Sequence, residues 1–363
     1  MSCKKDAGKK SEAFDRTDKQ EEIYIMNILI TIPDNPFRKL IFKENIIKKF
    51  EALGTVIWNE GTQPFSNEEL KERLKTADAC ITSWGKNKIT YEMIKGSPLK
   101  FIGHIGGGVH GLVEREIFDT NIKIVSGNPA FARTLAEYAL MLLLMAARKA
   151  YDRIYALRTH PEVKDMWGQN TLVDGINGKR IGILGLGEVS KRLIRMLKGF
   201  DVDIWVCDDY CTKEQEKELG FMLVSLEQLV AGCDAITIHH TLTEKTLGLL
   251  DADMIKKMRA GAILVNTARG EIVDEDALIL ELQTGRISAA LDVYRKEPLP
   301  PEHPFLRMSN VIALPHMGGK TYECREEMLR IILEDLKRLI NKEDLLYAIT
   351  KEQYDRMSRK IAY

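Results

Sequence analysis

Three residues that together could move a proton beside a carboxylate occur in order in the second half of this chain. Each stands in a polar stretch just after an apolar run: Arg269 in VNTARGEIVDEDAL, Glu297 in LDVYRKEPLP and His316 in ALPHMGGK. An arginine's planar fork bonds a carboxylate bidentately. A histidine gives or takes a proton cheaply near neutrality. A carboxylate on the far ring nitrogen would orient that imidazole, the part that suits Glu297. Each also has a plain reading: Arg-Gly as a solvent-facing turn, His beside Gly-Gly as a packed or capping residue, Glu before Pro as a loop acid. Their joint order downstream of a second motif makes them candidates.

That motif is Gly185-Leu186-Gly187-Glu188-Val189-Ser190, placed directly after RIGIL and before the helical KRLIRMLKGF. Gly185 permits a tight turn, and Gly187 lets the backbone approach a pyrophosphate at a helix N-terminus. Ser190 replaces the third glycine and is small enough for close helix–strand packing. The next strand, DIWVCDDY, ends at Asp208, where an acid binds the ribose hydroxyls of NAD and repels the 2′-phosphate of NADP. Asp209 is the alternative ribose ligand. Fingerprint and trio together suit hydride transfer between NAD and a 2-hydroxy acid, with Arg269 anchoring the carboxylate and His316 carrying the proton.

The segments GILGLGEV, GAILVNTARGEIVDEDAL, AALDVYRKEPLP and LPHMGGKT resemble the D-isomer-specific 2-hydroxyacid dehydrogenase family, which includes phosphoglycerate, glycerate and hydroxypyruvate or glyoxylate enzymes. The likeness spans residues 78–340. It implies that Arg269 binds substrate, that Glu297 and His316 form the proton-transfer pair, and that Asp292 contacts the nicotinamide carboxamide. It places Thr267 and Ala268 in the nicotinamide pocket and Glu188, Val189, Thr241 and Gly318 among the cofactor contacts. Within FIGHIGGGVHGLV it gives the backbone amides of Gly107 and Gly108 to the substrate carboxylate; a plain strand-to-helix turn is the other reading. The resemblance also implies a homodimer built around the long helix near 134–158. No metal is expected.

The chain departs from the family's pattern at His104, where many members have arginine, at His110, where they have aspartate, and at Thr241, where they often have proline. His104 could meet a substrate phosphate or second carboxylate, or be a buried strand histidine. Formate-type dehydrogenases carry glutamine where Glu297 stands, which argues against them. Some NAD-sensing transcriptional co-repressors resemble this family and keep its triad, so a binding protein is the alternative to an enzyme.

The elements that must position these residues are legible as alternation. Short apolar runs (NILITI, TVIWNE, ACITSW, KFIGHIG, IKIVSG) separated by amphipathic segments predict a parallel sheet covered by helices. Six more runs, at 180–185, 203–208, 235–240, 262–268, 289–294 and 311–316, predict a dinucleotide-binding sheet. The helical pattern 325–341 has no strand partner nearby and is expected back on the first domain. The fold expected is therefore α/β with two doubly wound parallel-sheet domains: a Rossmann NAD-binding domain (128–317) inserted in a discontinuous flavodoxin-like substrate domain (26–127 and 318–345). Residues 1–25 read as a disordered polar extension, with Met26 as the functional start, and 346–363 as a tail.

Over 363 residues, Lys+Arg and Asp+Glu both number 53, so no basic field invites nucleic acid or an anionic membrane, and a small-molecule 2-hydroxy or 2-keto acid fits better as partner. The six cysteines lack CxxC spacing, which suggests a reducing cytoplasm. No segment is expected to approach a membrane span; the apolar run 134–158 reads as a helix buried between domains or against a second subunit.

Overall fold

The structure is a computed structural model describing residues 25–85, 87–159 and 172–357. Residues 1–24 of the expected extension and 358–363 of the expected tail lie outside the described residues.

The five apolar runs of the first half form β1 (Met26–Ile30), β2 (Gly54–Trp58), β3 (Ala79–Ser83), β4 (Phe101–Ile105) and β5 (Lys123–Ser126). They pair in parallel in the order β2-β1-β3-β4-β5, the flavodoxin-like arrangement. Every residue of β4 is buried, as a strand covered by helices on both faces requires.

A second parallel sheet follows, ordered β12-β11-β10-β9-β6-β7-β8. It consists of β6 (Arg180–Leu184), β7 (Asp203–Cys207), β8 (Met222–Leu223), β9 (Ala235–Ile238), β10 (Ile263–Asn266), β11 (Ser288–Leu291) and β12 (Val311–Ala313). Read inward from β8, its first six strands have the Rossmann order. Seven strands replace the six expected, because β8 has two residues, too few to show alternation. The strands also stop before their apolar runs do. β12 ends at Ala313, and Pro315, lacking an N–H, cannot extend the ladder, so His316 stands in the loop beyond rather than at the strand's end.

The chain then returns to the first sheet through the helix Tyr322–Ile340, which buries Cys324, Met328, Leu329, Ile331, Ile332 and Leu336 in one core with Ile28, Ile81 and Val125. Each such apolar side chain contributes roughly 1.5–3 kcal/mol when fully buried. The helix can lie this close because β4 carries Gly103: a methyl there would stand 2.7 Å from Ile332 Cγ2. The Rossmann unit is thus an insertion in the first domain.

The run expected as one helix over 134–158 is two, Phe131–Ala147 and Ala150–Thr159, broken where Lys149 takes a left-handed backbone at φ 48°. Asn128–Ala147, 20 residues that include an 18-residue stretch of mean hydropathy 1.5, is long and apolar enough to cross a membrane, which corrects the expectation that no segment approaches that length. In this fold its Ala136, Ala139, Leu142 and Leu143 share a core with Ile183, Leu193 and Val265 of the second sheet.

The tail is not separate either. Buried Asp335 accepts the amides of Leu346 (2.8 Å) and Tyr347 (2.7 Å), turning the chain back so that Ala348 bridges Val125. The short helix Lys351–Asp355 then seats Tyr354, whose hydroxyl donates to the Val113 carbonyl at 3.1 Å.

Candidate active site

The three candidate residues follow β10, β11 and β12, adjacent strands, so their loops lie side by side at the carboxyl edge of the second sheet. His316 Nδ1 and Glu297 Oε2 are 2.6 Å apart, which leaves Nε2 outside that contact. The other Glu297 oxygen accepts the Tyr294 amide at 3.1 Å. Burial alone would raise the pKa of Glu297, but its bond to His316, the charges of His316 and Arg269 and the Tyr294 amide outweigh that and hold it below the usual carboxylate range. Those interactions bring all three candidates within electrostatic reach of one another.

Glycine explains the close approach of the first two loops. A methyl on Gly270 would stand 2.1 Å from the Tyr294 carbonyl carbon and 2.5 Å from the Arg295 nitrogen, so only glycine after Arg269 lets that turn pack on the loop carrying Glu297. Buried Asn266 braces the same turn, accepting the Ala268 amide (3.0 Å) and donating to the Arg269 carbonyl (2.9 Å). Arg269 itself is exposed, yet protein crowds its guanidinium enough that desolvation lowers its pKa against the pull of Glu271 and Glu297.

His316 has a left-handed backbone, φ 47°, unusual for a residue with a Cβ. Asp292, 1% exposed, holds the loop there: Oδ1 accepts from Met317 N (2.8 Å) and Tyr138 Oη (3.0 Å), and Oδ2 accepts from Gly318 N (2.9 Å). Burial, then the charge of Asp292, drives the Tyr138 hydroxyl far up, so it remains a proton donor. Asp292 is therefore a clamp under the histidine loop. Gly318, expected among the cofactor contacts, gives its amide to Asp292, and a methyl on it would meet Leu135 and Tyr138 at 2.8 Å.

The fingerprint turn has the shape a dinucleotide needs. Gly185 has φ 90°, and a Cβ there would lie 2.9 Å from the His240 backbone. Space above Gly187 is open, and it starts the helix Glu188–Leu197 without a side-chain cap, leaving amides for an anion. Ser190 Oγ donates to the Gly185 carbonyl at 2.5 Å, the close packing a third glycine would otherwise allow. Asp208 accepts the Leu186 amide (2.8 Å) and the Tyr210 amide (2.7 Å), tying the end of β7 to the turn, whereas Asp209 is exposed. Val189 is half-buried beside this turn, and exposed Thr241 accepts from Thr246 Oγ1 through its carbonyl. The buried Thr267 hydroxyl has no hydrogen-bond partner among the described residues.

In the loop after β4, the amides of Gly107 and Gly108 make no hydrogen bond among the described residues. Gly107 lies against Phe131 and Asn128, and Gly319 against Phe131, so one aromatic side chain joins this loop to the histidine loop. His104 is the buried strand histidine of the two readings left open: Nδ1 meets Thr82 Oγ1 at 3.0 Å, and burial pulls its pKa down to about 4. A neutral imidazole is a poor anion anchor. His110 stacks on Tyr354, ring centroids 4.0 Å apart. Tyr138, 154 residues from Asp292, carries no local sequence signal of its place in the site.

The family model for the NAD binding domain of D-isomer specific 2-hydroxyacid dehydrogenases matches residues 140–318. The chain is 33% identical over 324 residues to D-3-phosphoglycerate dehydrogenase of Methanocaldococcus jannaschii, covering 88% of this chain and 58% of that protein. It is 31% identical over 283 residues to glyoxylate reductase of Korarchaeum cryptofilum, covering 77% and 84%. Among solved structures, a glyoxylate reductase from Paecilomyes thermophila superposes with TM-score 0.73 at 27% identity, covering 90% of this chain and 99% of that one. The chain spans little more than half the length of the phosphoglycerate dehydrogenases it matches.

Proposed function

Since the chain belongs to the D-isomer specific 2-hydroxyacid dehydrogenase family, we propose that it interconverts a D-2-hydroxy acid and its 2-oxo acid with NAD(H), on glyoxylate, hydroxypyruvate or 3-phosphoglycerate and its oxo acid. The observation that carries this is the 2.6 Å His316–Glu297 pair beside Arg269 at the carboxyl edge of a dinucleotide-type sheet.

Arg269 and the free amides of Gly107 and Gly108 hold the substrate carboxylate. His316 Nε2 gives its proton to the carbonyl oxygen in reduction and takes the hydroxyl proton in oxidation. Glu297 fixes the ring and offsets the charge it carries. Gly185, Gly187, Glu188 and Val189 would hold the pyrophosphate side of the cofactor, Asp208 the ribose, and Thr241, Thr267, Ala268 and Asp292 the remainder. When bound, NAD(H) supplies or accepts the hydride at the carbonyl carbon. The carboxylate of Asp208 favours NAD over NADP.

We assign 128–317 to cofactor binding and 26–127 with 318–345 to substrate. A second copy would cover the exposed apolar residues Met141, Tyr151, Ile154 and Leu157. The test is a panel of glyoxylate, hydroxypyruvate, phosphohydroxypyruvate and branched 2-oxo acids, with NADH oxidation followed optically. Turnover of at least one supports the reading. NADH binding without turnover of any would instead support the co-repressor-like alternative.

A further inference from the structure

The first sheet has its own topological switch point. β1 and β3 are neighbours, and the connection leaving β1 runs to β2 on one side while that leaving β3 runs to β4 on the other; ligands of doubly wound sheets bind beyond the carboxyl ends of strands at such a switch. Phe37 follows β1 and Trp84 follows β3, their rings 6.0 Å apart across that point. Over Trp84 lies Arg325, its guanidinium carbon 4.3 Å from the ring centroid. Trp84 also meets His104 edge-on at 6.3 Å, and His104 Nε2 lies directly beneath Gly106, at the start of the loop whose amides are free. Arg325 Nη1 reaches Met328 Sδ at 3.6 Å, and Met328 abuts Gly127 at the end of β5. The guanidinium therefore sits over the carboxyl ends of β3, β4 and β5.

No carboxylate pairs with Arg325 among the described residues. Glu326 turns to Lys43 (2.6 Å) and Glu327 to Arg330 (2.6 Å). Arg325 is half-buried, and burial pushes its pKa down, though not enough for an arginine to lose its charge. A partly desolvated guanidinium without a carboxylate partner, at the switch point of the sheet, is stabilised when an anion arrives. His104, neutral and bonded to Thr82, cannot supply that anion's partner.

We propose that Arg325, laid across Trp84, is the subsite for a second anionic group, carboxylate or phosphate, on the substrate, so that the preferred 2-oxo acids are dianions. This rests on the dehydrogenase reading above and names its substrate class. The guanidinium bonds the distal anion through its fork, and the indole keeps it in place.

The experiment uses the full chain with NADH and matched pairs: phosphohydroxypyruvate against hydroxypyruvate, and 2-oxoglutarate against 2-oxobutyrate. Expected is a kcat/KM at least about tenfold higher for the dianion of one pair, the phosphate or the dicarboxylate pair identifying the anion. Arg325→Gln should lower the dianion-to-monoanion ratio by about tenfold to a hundredfold, and Arg325→Lys by less. Circular dichroism matching wild type keeps misfolding apart from lost recognition. Monoanions used as well as dianions, or a ratio unmoved by Arg325→Gln, would overturn the subsite while leaving the dehydrogenase standing. A second readout needs no turnover: 3-phosphoglycerate or 2-oxoglutarate should quench tryptophan emission in the NADH-free protein, but not in Arg325→Gln or Trp84→Phe. If that quenching occurs yet no 2-oxo acid is reduced, the subsite stands and the dehydrogenase reading falls.

Discussion

His104 makes the first domain sensitive to acid in a calculable way. Its imidazole is buried on β4 with burial holding its pKa near about 4, against a value of about 6.5 in the unfolded chain. Between those values the unfolded chain takes up a proton that folded His104 refuses, so stability is fully present above about pH 6.5 and is lost as pH falls towards 4. The gap of roughly 2.5 units corresponds to about 3 kcal/mol at full titration, of which about 2 kcal/mol is gone by about pH 5. His104→Gln keeps a polar group near Thr82 Oγ1 and removes the titration. Urea unfolding of both proteins should be followed by Trp58 and Trp84 emission, since both residues lie in the first domain. Wild type should be the more stable near pH 7.5, and its advantage should shrink by about 2 kcal/mol by about pH 5. His239 and His240 also have pKa values lowered by burial, but both proteins carry them, so they cancel in the difference. An advantage that stays constant or widens on acidification would refute a neutral His104, and with it the argument that the switch point's cation is Arg325 alone.

Other substitutions probe the remaining parts of the site. His316→Ala should cut reduction by about a hundredfold to ten-thousandfold while leaving NADH binding, read by fluorescence titration, nearly intact; near-normal turnover would remove the histidine from the mechanism. Asp208→Ala should raise the NADPH-to-NADH ratio of kcat/KM and weaken NADH binding, because it removes both the repelling charge and the acceptor of the Leu186 amide. An unchanged ratio would move discrimination to Asp209. Tyr138→Phe withdraws one of three donors from buried Asp292, a charged hydrogen bond worth about 1.5–3 kcal/mol. It should lower both Tm and kcat, and wild-type values for both would show that the Asp292 clamp needs only its backbone amides.

Much of this protein was legible in the sequence because the relevant physics is local. Strand runs, helix periodicity and the turn at Gly185 depend on residues a few positions apart, and these gave five strands of the first sheet, all but β8 of the second, and the return of the helix Tyr322–Ile340. Arg269, Glu297 and His316 could be singled out because each follows a recognisable strand, and the structure puts their loops on adjacent strands. What each side chain touches could not be read that way. Asp292 meets Tyr138 from 154 positions away, His104 is neutral because Thr82 and the strands around it exclude water, and Arg325 meets Trp84 only because a 19-residue helix lies across the sheet. Even a break such as Lys149 escaped the helical pattern, since the apolar period continues through it. Short-range periodicity dictated the elements, and through them the reaction's candidate residues. Burial, counter-charges and the seating of Arg325 over Trp84 were decided by long-range packing, because desolvation and partner geometry exist only once distant segments have met.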